Sequence, residues 1–247
     1  MTLLDIRGVT MRFGGSVALH NVAITADAGT VTGLIGPNGA GKTTLFNCIT
    51  GLLTPTAGEI LVDRRNITGL PPFKRSRRGI SRTFQRLELF TSLSVRDNIT
   101  VAGQIRNRWH GQSVNVNEKA HEVMQRLGLI PLAEREVSEI PTGMARRVEV
   151  ARALMTDPKL LLLDEPASGQ DDRETREFGE LLEELALDGM GILLVEHDVS
   201  LVMSVCRLVH VLDFGRILAS GTPDEIRDNQ KVVDAYLGAM ETVVEPA

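Results

Sequence analysis

The stretch Gly36-Pro37-Asn38-Gly39-Ala40-Gly41-Lys42-Thr43-Thr44 fits the pattern G-x-x-x-x-G-K-[ST] at every fixed position. Just before it, Val31-Thr32-Gly33-Leu34-Ile35 reads as a short buried strand, and from Thr43 to Ile49 the chain reads as the opening of a helix. That order of strand, loop and helix is the setting a phosphate-binding loop requires. Glycines let successive backbone N–H groups turn onto phosphate oxygens, and the helix N-terminus adds its partial positive charge. Lys42 is placed to reach the β and γ phosphates, and the Thr43 hydroxyl to ligate magnesium. Gly36, Asn38, Gly39, Ala40, Gly41, Lys42, Thr43 and Thr44 are thus the expected nucleotide-binding residues, and the fold expected around them is an α/β phosphate-loop NTPase with a mainly parallel sheet.

Composition narrows the company this loop can keep. With 247 residues and 43% apolar content, the chain can fill the core of one large or two intimate domains. A net charge of −5 argues against bulk attraction to nucleic acid. Cys48 and Cys206 lie in apolar helical surroundings with no metal-ligand spacing, which points to two buried thiols. The opening Met1-Thr2-Leu3-Leu4-Asp5-Ile6-Arg7 carries an acid and a base and lacks an apolar h-region, so no secretory signal is expected. Apolar runs such as Leu160-Leu161-Leu162-Leu163 are far too short to span a bilayer. A membrane role is expected to come through a partner.

Ahead of the loop, residues 3–10 alternate weakly and Val22 to Thr25 follows Phe13-Gly14-Gly15, predicting antiparallel strands and turns. After it, Glu59-Ile60-Leu61-Val62-Asp63 is a strand bounded by breakers. Between Pro71 and Arg86 come Lys74, Arg75, Arg77, Arg78, Arg82 and Arg86 without an acid. That run reads as a solvated or phospholipid-facing patch, with docking to an acidic partner as the alternative. From Val95 to Leu154 the pattern turns helical, with Ala120, Val123, Met124 and Leu127 on one face before Gly128. Residues 107–117, with Trp109 and three asparagines, read as a loop inside this helical lobe, and Trp109 as a partly exposed packing residue.

Parallel-sheet character resumes at Leu160-Leu161-Leu162-Leu163, ending in Asp164-Glu165, and at Gly191-Ile192-Leu193-Leu194-Val195, ending in Glu196-His197. The helix between them carries Phe178, Leu181, Leu182 and Leu185 on one face. A right-handed crossover then puts Asp164, Glu165 and His197 on the phosphate-loop side. There Asp164 suits a magnesium-organising carboxylate, Glu165 a group that orients or deprotonates an attacking water, and His197 a γ-phosphate contact. A hairpin over residues 208–220 turns at Phe214-Gly215. Thr222-Pro223-Asp224-Glu225 is a capping box opening a C-terminal helix, and residues 243–247 are an expected frayed tail.

This order of motifs resembles the ATP-binding subunits of ATP-binding cassette (ABC) transporters along nearly the whole chain. The resemblance implies one cassette over residues 1–247, with a nucleotide-binding core and N-terminal antiparallel β subdomain (1–90 and 155–221). It adds an inserted helical subdomain (91–154) and a C-terminal helix and tail (222–247). It also implies ATP and Mg2+ as cofactors, with Thr43, Gln85 and Asp164 at the metal and Glu165, His197 and Gln85 as the catalytic set. Phe13, in Arg12-Phe13-Gly14-Gly15, matches the aromatic that stacks on adenine, although as a bare feature it reads equally well as core packing. Asp171 matches the aspartate of the segment that crosses to the opposite subunit, with Gln170 where an apolar residue is common.

Three segments resemble more narrowly the ATPase subunits of bacterial branched-chain amino acid importers and of relatives carrying urea or short amides. They are Gly79-Ile80-Ser81-Arg82-Thr83-Phe84-Gln85, Leu194-Val195-Glu196-His197-Asp198, and Gly221-Thr222-Pro223-Asp224-Glu225-Ile226 with Ala235-Tyr236-Leu237-Gly238. The implied partners are transmembrane permease subunits, a second cassette in a homo- or heterodimer and, indirectly, a periplasmic or extracellular binding protein, with no nucleic acid. The implied place is cytoplasmic, peripheral on the inner face of the cell membrane.

One segment departs from the family. The hallmark L-S-G-G-Q, which presents a hydroxyl and N–H groups to a nucleotide held by the other subunit, falls on Ile140-Pro141-Thr142-Gly143-Met144, in register with Arg146-Arg147-Val148-Glu149. Pro141 removes a hydroxyl and a backbone donor, while Gly143 and the helix start remain. Losing one hydrogen bond to a charged group, worth roughly 1.5–3 kcal/mol, weakens such a site by about one to two decades. The expectation is an ATPase working in an asymmetric pair, against a catalytically weak nucleotide-gated regulatory cassette as the alternative.

Overall fold

A computed structural model describes residues 1–110 and 114–241. Strands β1 (Thr2–Phe13) and β2 (Ser16–Asp27) form an antiparallel hairpin that buries Leu4 and Ile6 and, after a register shift, Val9 and Met11. Strand β3 (Val31–Ile35) is buried throughout and feeds helix α1 (Lys42–Thr50) through the phosphate-loop stretch. Strands β4 (Ala57–Val62) and β5 (Arg65–Asn66) then complete a four-stranded sheet, β2-β1-β4-β5. Helix α2 (Pro72–Ser76) precedes the short strand β6 (Ile80–Arg82). Helices α3 (Val95–His110), α4 (Val116–Arg126) and α5 (Thr142–Leu154), with two single 3-10 turns, come before strand β7 (Leu160–Asp164).

The rest alternates: α6 (Asp172–Leu187), β8 (Gly191–Val195), α7 (Val199–Val205), then the hairpin of β9 (Leu208–Asp213) and β10 (Arg216–Gly221). Helices α8 (Pro223–Arg227) and α9 (Gln230–Glu241) close it. The second sheet has the order β10-β9-β3-β8-β7-β6, parallel except for the β9–β10 hairpin. The C-terminal ends of β3, β7 and β8 therefore share one side, as the crossover argument requires.

Both faces of this sheet are covered, which is why its strands are continuously apolar. On β7, Leu161 and Leu163 join α5 and α6, through Val148, Phe178 and Leu182, while Leu160 and Leu162 face α1 and the antiparallel sheet, through Phe46 and Ile60. All four leucines are fully buried, a contribution of roughly 6–12 kcal/mol at about 1.5–3 kcal/mol each. The buried His210 stitches the two sheets: Nε2 sits 2.9 Å from the Thr25 carbonyl oxygen and Nδ1 2.7 Å from Ser220 Oγ.

The expected capping box is present on α8, with Thr222 accepting from the Glu225 N–H and Pro223 in the first turn. Cys48 and Cys206 are free and buried, as read from their surroundings. Residues 243–247 lie outside the described residues.

Two expectations are corrected. The basic run is not one exposed patch. Arg75 is 1% exposed and turns inward, donating to the carbonyl oxygens of Cys48, Ile49, Thr68 and Leu70, so it satisfies the orphan acceptors at the end of α1. Arg82 is drawn inside by Asp164. Residues 107–117 are not one loop either, because α3 runs through Asn107 and Trp109 to His110 and α4 starts at Val116. Asn107 ties the end of α3 to the connector ahead of α4: its side chain donates to the Val114 carbonyl (2.9 Å) and accepts the Val114 N–H (3.2 Å).

Candidate nucleotide site

Residues 36–44 wrap the C-terminal end of β3, and their glycines are required by close contacts. A Cβ on Gly36 would overlap the Leu212 carbonyl oxygen, and one on Gly41, where φ is +110°, would meet the Ala18 carbonyl oxygen at 2.9 Å. From the start of α1, Lys42 folds back over the loop and donates to the carbonyl oxygens of Gly36 (2.6 Å) and Pro37 (3.1 Å). Burial lowers the Lys42 pKa, and the charges of Glu165 and Asp164 pull it the other way. The loop thus presents one preoriented ammonium beside a row of backbone N–H groups, the chemistry that holds a polyphosphate.

One cavity of about 260 Å³ brings Asn38, Gly39, Ala40, Gly41, Lys42, Thr43 and Thr44 together with Gln85, Asp164, Glu165 and His197. These four hang from three strand ends: Gln85 follows β6, Asp164 closes β7 with Glu165 directly after it, and His197 follows β8. Glu165 follows β7 with φ at +52°, a conformation that a non-glycine residue adopts only at a cost of about 1–3 kcal/mol. Its N–H is held by the Val195 carbonyl oxygen (2.8 Å), which fixes the direction of the side chain. Two neighbours then grip its carboxylate: Gln85 Nε2 donates to Oε2 (3.1 Å) and His197 Nε2 lies 3.0 Å from Oε1. A carboxylate oriented at a phosphate cradle can position and deprotonate a water.

Asp164 is almost fully buried and pairs through Oδ2 with Arg82 Nη2 (2.8 Å), whose Nη1 donates to Asn47 Oδ1 (2.6 Å). The Arg82 guanidinium is sandwiched between Phe46 (5.3 Å to the ring centre) and Phe84 (5.0 Å). Asp164, Thr43 and Gln85 together offer the oxygen donors that magnesium prefers. Among the described residues no group of three or more His, Cys, Asp or Glu side chains is set to hold a metal by itself. The donor set fits an ion that shares its coordination with phosphate and water.

Sequence reasoning passed over three supports. Arg82 falls inside a segment of family resemblance and Asn47 inside the helix after the loop, but neither carries a local sign of its role. Glu196, adjacent to His197, is buried and accepts from the Ala167 (2.7 Å) and His197 (3.1 Å) N–H groups, fixing the turns on either side of the cavity; burial raises its pKa despite those bonds. The third is a clamp from α5. Arg146 donates to the carbonyl oxygens of Phe84 (3.0 Å) and Gln85 (2.6 Å) and to Glu149 Oε2 (3.1 Å). Glu149 accepts the Glu88 N–H (2.9 Å), and Arg152 donates to the Glu88 carbonyl. The segment bearing Gln85 is thus fastened to α5.

Besides Gly36, which shapes the loop without lining the cavity, three expected residues lie outside it. Phe13, at the tip of the β1–β2 hairpin, is 49% exposed. Asp171 is the N-cap of α6, its Oδ1 accepting the N–H groups of Arg173 (2.9 Å) and Glu174 (2.8 Å). Gly143 is buried in the first turn of α5, where a Cβ would meet Gln170 and Glu174 at 3.3 Å. Pro141 is the N-cap of that helix and supplies no side-chain cap.

Comparison with known proteins accords with this geometry. Residues 19–168 match the ABC transporter family, and residues 216–242 match the C-terminal segment of branched-chain amino acid ATP-binding cassette transporters. The chain is 41% identical to LivG of Salmonella typhimurium, a high-affinity branched-chain amino acid transport ATP-binding protein, over 96% of this chain and 98% of that one. It is 35% identical, with the same coverage, to LptB of Escherichia coli, the ATP-binding protein of a lipopolysaccharide export system. Among solved structures, the ADP conformation of the cassette MJ1267 superposes with a TM-score of 0.88 at 31% identity, covering 96% of this chain and 99% of that one. The chain belongs to the ABC transporter family, as one of its ATP-hydrolysing ATP-binding cassettes.

Proposed function

We propose that this cassette binds ATP with Mg2+ in the residue 36–44 cradle, pairs with a second cassette, and drives a permease that imports branched-chain amino acids. The observation that carries the reading is the double grip of Gln85 and His197 on Glu165 at the mouth of the phosphate cavity. Lys42 binds the β and γ phosphates, Thr43, Gln85 and Asp164 hold the metal, Glu165 directs the water, and His197 steadies the γ-phosphate. Phe13 stacks on adenine, and Gly143 and Asp171 face the partner cassette. Residues 91–154 act as a helical lobe on the core of 1–90 and 155–221, with 222–247 appended.

Cargo rests on the match of residues 216–242 and on the identity to LivG and, at 40%, to BraF of Pseudomonas aeruginosa. The likeness to LptB shows that an export cassette can be nearly as similar, so the C-terminal segment weighs more than overall identity. Among the described residues no helix is long and apolar enough to cross a membrane. Attachment to the inner membrane face then runs through the permease. Its docking place is the groove of about 330 Å³ along the edge strand β6, bordered by exposed Leu52, Phe84 and Ile105 and by Trp109. A binding protein on the far side delivers cargo.

The pair is asymmetric, because Pro141 and Met144 spoil the segment this chain offers to its partner's nucleotide. Glu165→Gln in the assembled transporter should abolish steady-state ATP hydrolysis while ATP binding persists. Retention of most of the activity would show that Glu165 is not the acting carboxylate. The chain paired with itself should hydrolyse ATP slowly.

A further inference from the structure

At the opposite end of β6 and β7 from Asp164 lies a second cavity, of about 320 Å³, beyond anything the nucleotide chemistry uses. It is lined by Arg65, Arg77, Arg78, Arg106 and Lys159 with only Asp63 and Asp157 among them. This is a concentration of positive charge on a chain whose net charge is −5. The two acids are already engaged, Asp63 by Lys159 (3.2 Å) and Asp157 by Arg106 and Lys119. Arg65, Arg77 and Arg78 have no carboxylate within ion-pair distance among the described residues. Arg106 is mostly buried, and its Nε and Nη1 find no hydrogen-bond partner among those residues. A desolvated guanidinium with free donors calls for an acceptor.

The cations are held in place. Buried Arg75 ties α2 to the end of α1, so the following Arg77 and Arg78 leave a fixed helix. Arg77 is lodged between the rings of Phe73 (5.6 Å) and Trp109 (5.7 Å). Phe73 is exposed beside Arg77 at the cavity rim, and the cavity adjoins the β6 groove through Thr156. An exposed aromatic ring beside a cluster of fixed guanidinium groups matches the boundary between acyl chains and phosphates at a membrane surface.

We propose that this cavity binds the phosphate of an anionic phospholipid headgroup, so that the cassette touches the bilayer itself as well as the permease. The inference rests on the reading that docks the permease in the adjoining groove, which brings this face of the cassette up to the membrane. Arg106 and Lys159 donate to the phosphate oxygens within the cavity, and Arg65, Arg77 and Arg78 neutralise its charge at the rim. The full chain floats with vesicles of phosphatidylcholine mixed with phosphatidylglycerol more strongly than with phosphatidylcholine alone, and added salt weakens the binding.

Replacing two rim arginines, Arg77→Gln with Arg78→Gln, lowers affinity about 25-fold, from about fivefold per basic residue near an anionic surface. The same charge change at the other edge of the sheet, Arg216→Gln with Arg227→Gln, leaves most of the binding. Equal flotation with both vesicle types, or an equal loss in the two double variants, overturns the proposal. So does tight binding of soluble glycerol phosphate that Arg77→Gln with Arg78→Gln abolishes while vesicle affinity is unmoved. ATP binding is measured on the same samples: its persistence alongside failed flotation sinks only the lipid site, whereas its absence sinks the cassette reading.

Discussion

Replacing Arg146 by methionine keeps the bulk of its stem and removes its charge. Three acceptors lose their donor: the Phe84 and Gln85 carbonyl oxygens and Glu149 Oε2. Glu149 is 6% exposed and retains Arg152 and the Glu88 N–H. Breaking a buried ion pair from one side costs about 3–5 kcal/mol, and the remaining partners place this case near 3 kcal/mol. For a chain of this size that is a fall in Tm of about 6–12 °C.

The pH dependence is signed. Burial raises the Glu149 pKa above its ordinary value, outweighing the Glu88 N–H and the charges of Arg146 and Arg152. A carboxyl raised on folding favours the folded state below the unfolded pKa, and that contribution is lost as pH rises through the folded value. Without Arg146 the folded value climbs further, so the deficit of the variant is largest near neutrality and shrinks on acidification. Urea denaturation of both proteins between neutral and mildly acid pH measures it. Adding Glu149→Gln should restore part of the loss, a coupling of about 1–3 kcal/mol. A cost below about 1 kcal/mol, or a deficit that widens on acidification, would refute the claim that the clamp is a buried charge pair.

Gly36→Ala should abolish ATP binding in equilibrium dialysis, because its Cβ runs into the Leu212 carbonyl oxygen and pushes the cradle off β9. Arg75→Met leaves four carbonyl oxygens, among them two at the end of α1, without their donor and should lower stability by about 2–4 kcal/mol in urea denaturation. Desolvation pushes the Cys48 thiol up to about 11 and the Cys206 thiol up to about 12, so both should resist alkylation at mildly alkaline pH until the chain unfolds, as mass spectrometry would report.

How much of this was legible depends on whether a residue's neighbours are near it in sequence. Lys42 and Thr43 are read from their own loop, and Asp164 with Glu165 from the end of an apolar strand, because local pattern fixes where those side chains sit. The basic run misled for the complementary reason. Polarity along a sequence reads as exposure, yet Arg75 and Arg82 find partners 26–27 and 82 residues away and fold inward to them. The asparagines near Trp109 suggested a loop, but Asn107 lies in α3 and is spent on holding the Val114 backbone just ahead of α4. Arg146 and Glu149 marked a helix in register with a known pattern, and nothing local betrayed that they hold the backbone on either side of Arg86 in place.

Arg82, pressed between Phe46 and Phe84, is a link one side chain long between the groove and the phosphate cavity. Phe84 lies in the wall of the β6 groove, and the guanidinium stacked on it grips Asp164. A load applied to that wall therefore meets, one side chain deeper, the bearing on which the site's acidic centre turns. Together with the α5 clamp on Gln85, that contact limits how far the groove and the phosphate cavity can be tuned independently of each other.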